Sequence, residues 1–469
     1  MNYTTNEIRN ASIEYQDSLF IPHNLKYFLN NVTSIGLTKS GRDVYCFQGD
    51  LYYLEEDILC PDCRITMHVH DVYQTTIRHL PIGGSLSCLC FKKRRFQCPC
   101  CGKLVMQEIP FKAEGHRISV ELLNYTEDLL ERGYTNKEVG ELTGLGKNTV
   151  KQIDLARLKR KYTKGGAGKE LIKPEKQAKY LGIDEFKLHD GYRFATHIID
   201  LETGHILWIA HGKKKQVVYD FIEHVGLEWM DGVEAVACDM NSDFEEAFEE
   251  LCPHIQPVFD YFHIVKNFND KVVSAVRKEE QARLVASGDE SAAKRLKKSK
   301  YILTSRRESL RQKDENANSG SSSVGKEGLF HKPEPKLKSG YEARYDEILQ
   351  LNKIFFTLDL IKEKLTAAYK LDDEIDMTDD ITEIIEMCQA SENNHLEWFG
   401  KLLLNHFEGI IAHATYRISS GKIEGINNKI KTLRRKGYGY PDDDYFFLKL
   451  MDASRKTYVR NSKSHKKND

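Results

Sequence analysis

The 469-residue chain has no run approaching the roughly 18 consecutive apolar residues that a membrane-crossing helix needs, which excludes a helical membrane protein. Its first residues lack the basic-then-apolar pattern of a secretory leader, so the expected location is the cytoplasm. Nor is either sign of charge in excess: 69 Lys and Arg stand against 70 Asp and Glu, a formal net charge of −1. That balance excludes a uniformly basic or acidic chain but conceals local blocks. Basic runs lie at 92–95, 157–164, 294–300 and 429–436, and an acidic one at 372–380. A hydrophobic content of 40% supports folded domains, and the length suggests several.

Cysteine is not lacking, and its spacing carries information. Cys60-Pro61-Asp62-Cys63 and Cys98-Pro99-Cys100-Cys101 are two C-x-x-C pairs. A two-residue gap lets both thiolates of a pair reach one metal ion, so Cys60, Cys63, Cys98 and Cys101 are the expected ligands of a structural Zn2+. The alternatives are free buried thiols or a disulfide framework; a chain with no secretory start keeps its thiols reduced, which favours metal. Cys88 and Cys90 alternate on a predicted strand at 87–91, and Cys100 could compete with Cys98 or Cys101. The block 92–95, flanked by Phe91 and Phe96, suggests a phosphate-facing edge on this module.

Between 135 and 158 the sequence reads as a helix-turn-helix. Thr135 and Glu138 form a capping box, 143–146 (TGLG) supplies the turn, and 148–158 gives the second helix. Lys147, Asn148, Lys151 and Gln152 then fall at its base-facing start. A basic, Gly-rich linker at 159–169 follows.

Downstream, apolar runs at 180–184, 193–200 and 205–210 predict an antiparallel three-stranded meander. Val217, Phe221, Ile222 and Val225 recur at helical spacing. A strand at 233–238, a helix at 243–251 and a strand at 256–259 complete the order β-β-β-α-β-α-β, that of a ribonuclease-H-like core. Asp184 lies on the first strand and Asp239 ends the fourth. At 419–431 (SSGKIEGINNKIK) Ile423, Ile426, Ile430 and Leu433 form one apolar stripe. On the other side Glu424, Asn428, Lys431 and Arg435 share a face, where a carboxylate would sit beside groups able to hold phosphates. The plainer reading of that helix is an amphipathic surface element with a solvated basic face. Helical periodicity at 268–310 and 341–404 predicts an all-helical insertion, and 313–340, rich in Asn, Ser and Gly, a mobile loop within it.

The motifs Gly182-Ile183-Asp184-Glu185, Cys238-Asp239-Met240, Asp260-Tyr261-Phe262-His263, and Ser420-Gly421 with Glu424-Gly425, Asn427, Ile430-Lys431 and Tyr438-Gly439 resemble those of the ISL3-type insertion-sequence transposases, bacterial DDE enzymes. The likeness runs from about 60 to about 450; the interval between Asp239 and Glu424, with its polar tract, is long for a typical member. It implies catalytic Asp184, Asp239 and Glu424 holding Mg2+ or Mn2+, strand cleavage exposing a 3′-hydroxyl, and its transfer to target DNA. Its implied partners are the element's terminal inverted repeats and target DNA, bound by a homo-oligomer, a dimer on DNA, associated with the nucleoid. His263 is expected either to contact DNA or to be a structural histidine.

The implied fold is multidomain α+β: an N-terminal segment (1–44), a zinc-binding domain (45–115), a helix-turn-helix (116–162), a linker (163–171), and a ribonuclease-H-like core (172–266 and 411–469) interrupted by a helical insertion (267–410). The competing class is a non-catalytic DNA-binding regulator derived from a transposase, which would have no reason to keep three acids. A plain nuclease would not need two upstream DNA-binding modules.

Overall fold

The computed structural model describes residues 28–38, 41–51, 53, 58–168, 170–189, 193–240, 242–318, 338–437 and 439–456. Most of the expected mobile loop, the start of the N-terminal segment, Lys169 of the linker, Tyr438 and the basic tail past 456 lie outside the described residues. The chain forms two compact units: Met1–Ile172 with Arg434–Lys449, and Lys173–Leu433 with Leu450–Asp469.

The first unit begins with a sheet of β1 (Phe28–Leu37), β2 (Asp43–Leu51), β3 (His68–Ile82), β4 (Ser85–Gln97) and β5 (Leu104–Met106). Its order is β1-β2-β4-β3, with β5 on the far half of β4. β2 runs parallel to β4, and the other pairs are antiparallel. Gly83 and Gly84, both at positive φ, make the tight β3–β4 turn that side-chain-bearing residues resist. Phe47, Ile77, Leu89 and Phe91 pack on one face with Phe111. The β1–β2 hairpin was not predicted, because the segment before 45 carries no clean alternation of apolar and polar residues. β4 is also much longer than the predicted strand at 87–91 and absorbs the basic block. Alternation therefore splits that block between two faces. Arg94 donates to Leu51 O (2.6 Å) and Arg95 pairs with Asp71, while Lys92 and Lys93 fall on opposite faces, so the block does not form the single phosphate-facing edge expected of it.

Three helices follow: α1 (Val120–Glu131), α2 (Asn136–Thr143) and α3 (Lys147–Tyr162). Thr135 and Glu138 form the reciprocal capping box, and Gly144 (φ 72°) ends α2. A Cβ on Gly144 would also lie 2.7 Å from Leu86, so glycine is required for space as well as conformation. Leu122, Leu130, Val139, Val150 and Ile153 bury the faces the three helices share. α3 runs past its predicted end because Leu158 and Tyr162 are buried against the unit. Residues 159–162 are thus its last turn rather than linker, and Thr163 pairs with Leu171 across the remainder.

The second unit holds a sheet of β6 (Tyr180–Lys187), β7 (Phe194–Asp200), β8 (Ile206–His211), β9 (Ala235–Cys238) and β10 (Gln256–Phe259), with order β10-β9-β6-β7-β8. β6, β7 and β8 form the antiparallel meander; β9 runs parallel to β6, and β10 to β9. Between β8 and β9 lie α4 (Lys215–Val225) and a short, unpredicted α5 (Leu227–Met230), separated at Gly226 (φ 81°). Between β9 and β10 lies α6 (Ser242–Leu251). Val218, Phe221, Trp229, Phe244 and Phe248 pack these helices on Leu181, Ile183, Ile198 and Val236.

After β10 every described element as far as 416 is helical. α7 (Tyr261–Asn267) runs through a π-helical turn, Phe268–Val273, into α8 (Ser274–Ala286). Then come α9 (Glu290–Leu296), α10 (Lys300–Thr304), α11 (Arg307–Asn318), α12 (Tyr341–Leu349), α13 (Lys353–Ala368), α14 (Glu374–Gln389), α15 (Asn394–Asn405) and α16 (Phe407–Tyr416). Lys362 is buried among them, its charge satisfied by Tyr345 (2.7 Å), Asp359 (3.1 Å) and the Ser305 carbonyl (3.1 Å). Gly409 lets α16 lie on β10: a Cβ there would fall 2.3 Å from the Phe259 ring.

The last helices are α17 (Gly421–Gly437) and α18 (Asp443–Ser454). The span 411–469, expected to close the core as one piece, is divided: Arg434–Lys449 belongs to the first unit. There Asp154 of α3, fully buried, accepts hydrogen bonds from Tyr445 (2.6 Å), Lys449 (2.8 Å) and Arg157 (2.9 Å). A buried carboxylate is tolerable only when so surrounded.

Candidate metal centres and active site

The two C-x-x-C pairs fold into matching knuckles. Cys60 N donates to Ile65 O (2.8 Å) and Arg64 N to Cys60 O (2.9 Å); Cys98 N donates to Lys103 O (2.9 Å) and Gly102 N to Cys98 O (3.0 Å). In each, the residue after the second cysteine turns left-handed, Arg64 at φ 58° and Gly102 at 73°. Both knuckles hang from one sheet, and Cys60, Cys63, Cys98 and Cys101 bring their sulfurs within 4.8 Å of one another. Backbone amides of Cys101 and Cys100 directed at Cys98 lower its thiol to about 7. Four thiols at this spacing are the donor set of a structural zinc site. Cys100 is exposed and is not one of these four.

The acids are arranged differently. Asp184 on β6 accepts Glu185 N (2.8 Å) with one oxygen and Asn427 Nδ2 of α17 (2.6 Å) with the other. The helix can come this close because residue 182 is glycine: a Cβ there would lie 2.9 Å from Ile423 and 2.8 Å from Leu201. Ile423, Ile426 and Ile430 are buried as the stripe predicts, and Asn427, one turn beyond Ile423, reaches Asp184.

Asp239, just past β9, accepts Met240 N (2.8 Å) and faces His263 Nδ1 at 3.2 Å. Burial alone would raise Asp239, but the His263 hydrogen bond and charge outweigh it and hold the carboxyl low. His263 is likewise opposed by burial yet raised, through Asp239 and the more distant charges of Asp184 and Asp260. Asp260 accepts a hydrogen bond from Ser420, joining the start of α7 to the residue before α17.

Glu424 lies in the first turn of α17 and is exposed. Among the described residues the three acids do not gather within 4.8 Å of one another as the cysteines do. Asn428, Lys431 and Arg435 are exposed on the same helix face, as expected. Lys147, Asn148 and Gln152 are exposed on α3, whereas Lys151 pairs with Asp442 (2.7 Å) and lies 5.4 Å from the centre of the Tyr445 ring.

Three residues near the acids were missed or left without a role. Glu185 is raised by burial and by the charges of Asp184 and Asp239, and its Oε2 is buried with no partner among the described residues. His197, the register partner of Asp184 on β7, is fully buried and held neutral, with both ring nitrogens unpartnered among the described residues. Asn427 stood in the motif with no chemistry assigned. The first two signals were visible only as polar residues inside apolar strands.

The comparisons with known proteins define the class as a DNA-processing enzyme, a transposase. The family model for the ISL3 DDE transposases, described as "Transposase", matches residues 181–450, and that for the zinc finger of the IS204/IS1001/IS1096/IS1165 transposases matches residues 56–101. The chain belongs to the ISL3 transposase family. It is 27% identical over 397 residues to the transposase for insertion sequence element IS1001 of Bordetella parapertussis, covering 84% of this chain and 88% of the relative. It is also 23% identical over 278 residues to the transposase for IS1557 of Mycobacterium tuberculosis, covering 55% and 56%.

Proposed function

We propose that the chain cuts DNA at the ends of an insertion sequence and joins the exposed 3′-hydroxyl to target DNA, with Asp184, Asp239 and Glu424 as its catalytic acids. The second unit's sheet is then a ribonuclease-H-like core, built from 173–266 with 411–433 and the end of α18 from 450 on, and interrupted by the helical insertion (267–410). The first carries the zinc-binding domain (45–115), the helix-turn-helix (116–162) and the linker (163–171).

One observation carries this reading. Asp184 and Asp239 leave adjacent, parallel strands in the middle of the sheet, and the charges of both reach Glu185 and His263. Such an all-oxygen donor set, with a buried carboxylate oxygen on Glu185 that has no partner among the described residues, fits hard divalent cations. Mg2+ or Mn2+ bound there would activate the attacking oxygen and stabilise the leaving one. Asn427 fixes the rotamer of Asp184, and His263 offsets the charge of Asp239. Glu424 is the third acid by its place in the family motif. Asn428, Lys431 and Arg435 extend from it as a phosphate-holding face. Lys147, Asn148 and Gln152 are available to base edges; Lys151 joins them only on leaving Asp442. Cys60, Cys63, Cys98 and Cys101 bind the structural Zn2+. The protein works as a dimer on paired element ends.

The test is to replace Asp184, Asp239 and Glu424 singly by the amide and to assay cleavage and joining, in magnesium, on DNA carrying the element's ends. Each variant should lose both reactions while still binding the ends. Full activity in all three would remove the triad from the mechanism.

A further inference from the structure

The zinc site uses four of the eleven cysteines, and three others meet on the same sheet. Cys46 on β2 is the register partner of Cys88 on the parallel strand β4, and Cys90 follows two residues on. Because Phe47, Leu89 and Phe91 point into the core, these three thiols project from the opposite face. Cys88 Sγ lies 3.4 Å from Cys46 Sγ and 3.7 Å from Cys90 Sγ. They are separate from the four-thiol group.

We propose that Cys46 and Cys88 are an oxidation site for a small peroxide, closing a disulfide between β2 and β4. Paired strands run about 4.8 Å apart, within the roughly 4.4–6.8 Å between Cα atoms that a disulfide spans. Cys90 is the poorer partner for Cys88: two residues along one strand is about 6.7 Å, at the limit of that window. The two thiols divide the work. Cys46 is half-buried and reachable, and its sulfur accepts the Cys88 S–H. Cys88 is buried, and burial together with the Cys46 contact keeps it protonated.

The Cys46 thiolate attacks one peroxide oxygen, forming a sulfenic acid and releasing hydroxide. Cys88 sulfur then displaces the sulfenic hydroxyl, its own proton leaving with that hydroxyl as water. Two thiols lose two electrons and two protons, and hydrogen peroxide becomes two waters. The bond closes a loop holding β3 and the first zinc knuckle, so it ties the sheet beneath that knuckle. In a reducing compartment such a bond forms transiently and returns to thiols.

The experiment treats zinc-loaded, fully reduced full-length protein with hydrogen peroxide, blocks remaining thiols with an alkylating agent and maps peptides without reduction. The expected product is a Cys46–Cys88 cross-linked peptide, two thiols lost per chain, zinc content unchanged, and reversal by dithiothreitol. Cys88→Ser should instead leave Cys46 as a sulfenic acid that dimedone traps, and Cys90→Ser should still cross-link. If parent protein releases zinc while Cys46 and Cys88 stay alkylatable, or if the link joins Cys88 to Cys90, the proposal is overturned.

Discussion

The sulfur site and the carboxylate site differ in how their geometry arises. Each cysteine knuckle is closed by hydrogen bonds within a few residues, and one β-sheet carries both. The acids come from β6, from the end of β9 and from a helix far downstream, each oriented by a different neighbour or by none. Local backbone geometry sets each pair of thiols, and a single strand pairing brings the two pairs together. Donors scattered along the chain are placed by the whole fold, and their like charges resist crowding.

Removing a ligand should therefore have opposite consequences at the two sites. Replacing Cys60 or Cys98 by Ser, or stripping zinc with a chelator, should unfold the module, since apparent zinc-binding energies of small domains are on the order of 10 kcal/mol and are folding energy. Metal analysis should find about one zinc per parent chain. Retained near-ultraviolet circular dichroism in metal-free protein would contradict the contrast.

At the carboxylates, Asp184→Asn and Asp239→Asn should cost several kcal/mol of transition-state stabilisation, about a thousandfold in rate or more, with the melting temperature nearly unchanged. A large fall in melting temperature would mean that these acids also hold the fold.

Asp154 is a carboxylate whose role is structural. Burial pushes it up, but Lys449, Arg157 and the Tyr445 hydroxyl bring it below its ordinary 3.8. Its contribution is thus present above about pH 3.8 and is lost as pH falls through the lower folded value. Asp154→Asn should destabilise by about 3 kcal/mol at neutral pH, because it leaves Arg157 and Lys449 uncompensated, and should flatten the acid limb of the stability–pH curve. An unchanged acid limb would place the titration elsewhere. The smallest effect is expected at Asn427: Asn427→Ala removes one hydrogen bond to a charged group, about 2 kcal/mol, or roughly thirtyfold in cleavage rate. Its magnesium requirement should rise with it; an unchanged titration would make Asn427 a packing residue.

The cysteine group was legible in the sequence, whereas the acids were legible as positions in motifs and their joint role is the proposal made above. The C-x-x-C spacing is a local rule, and so is the capping box at Thr135 and Glu138, and both appear in the structure as read. The succession of strands and helices from 180 to 259 followed from period and length, with α5 missed because four residues carry no periodicity. What could not be read depends on contacts between distant residues. Asn427 reaches Asp184 only because Gly182 leaves room for α17, and Lys151 looked free because Asp442 is far away along the chain. The helical run past 158 was mistaken for linker because lysine and glycine content outweighed the single buried Tyr162.

The segment Arg434–Lys449 changes what counts as a part of this protein. A fragment ending at 172 would carry Asp154 without Tyr445 and Lys449. Exchange between relatives is constrained in the same way. A chimera that swaps the front of one chain for another also inherits, from the far end, the tyrosine and lysine that must recognise the new α3. The buried surroundings of α3 are thus written in two separated passages of the gene, and must be edited in both.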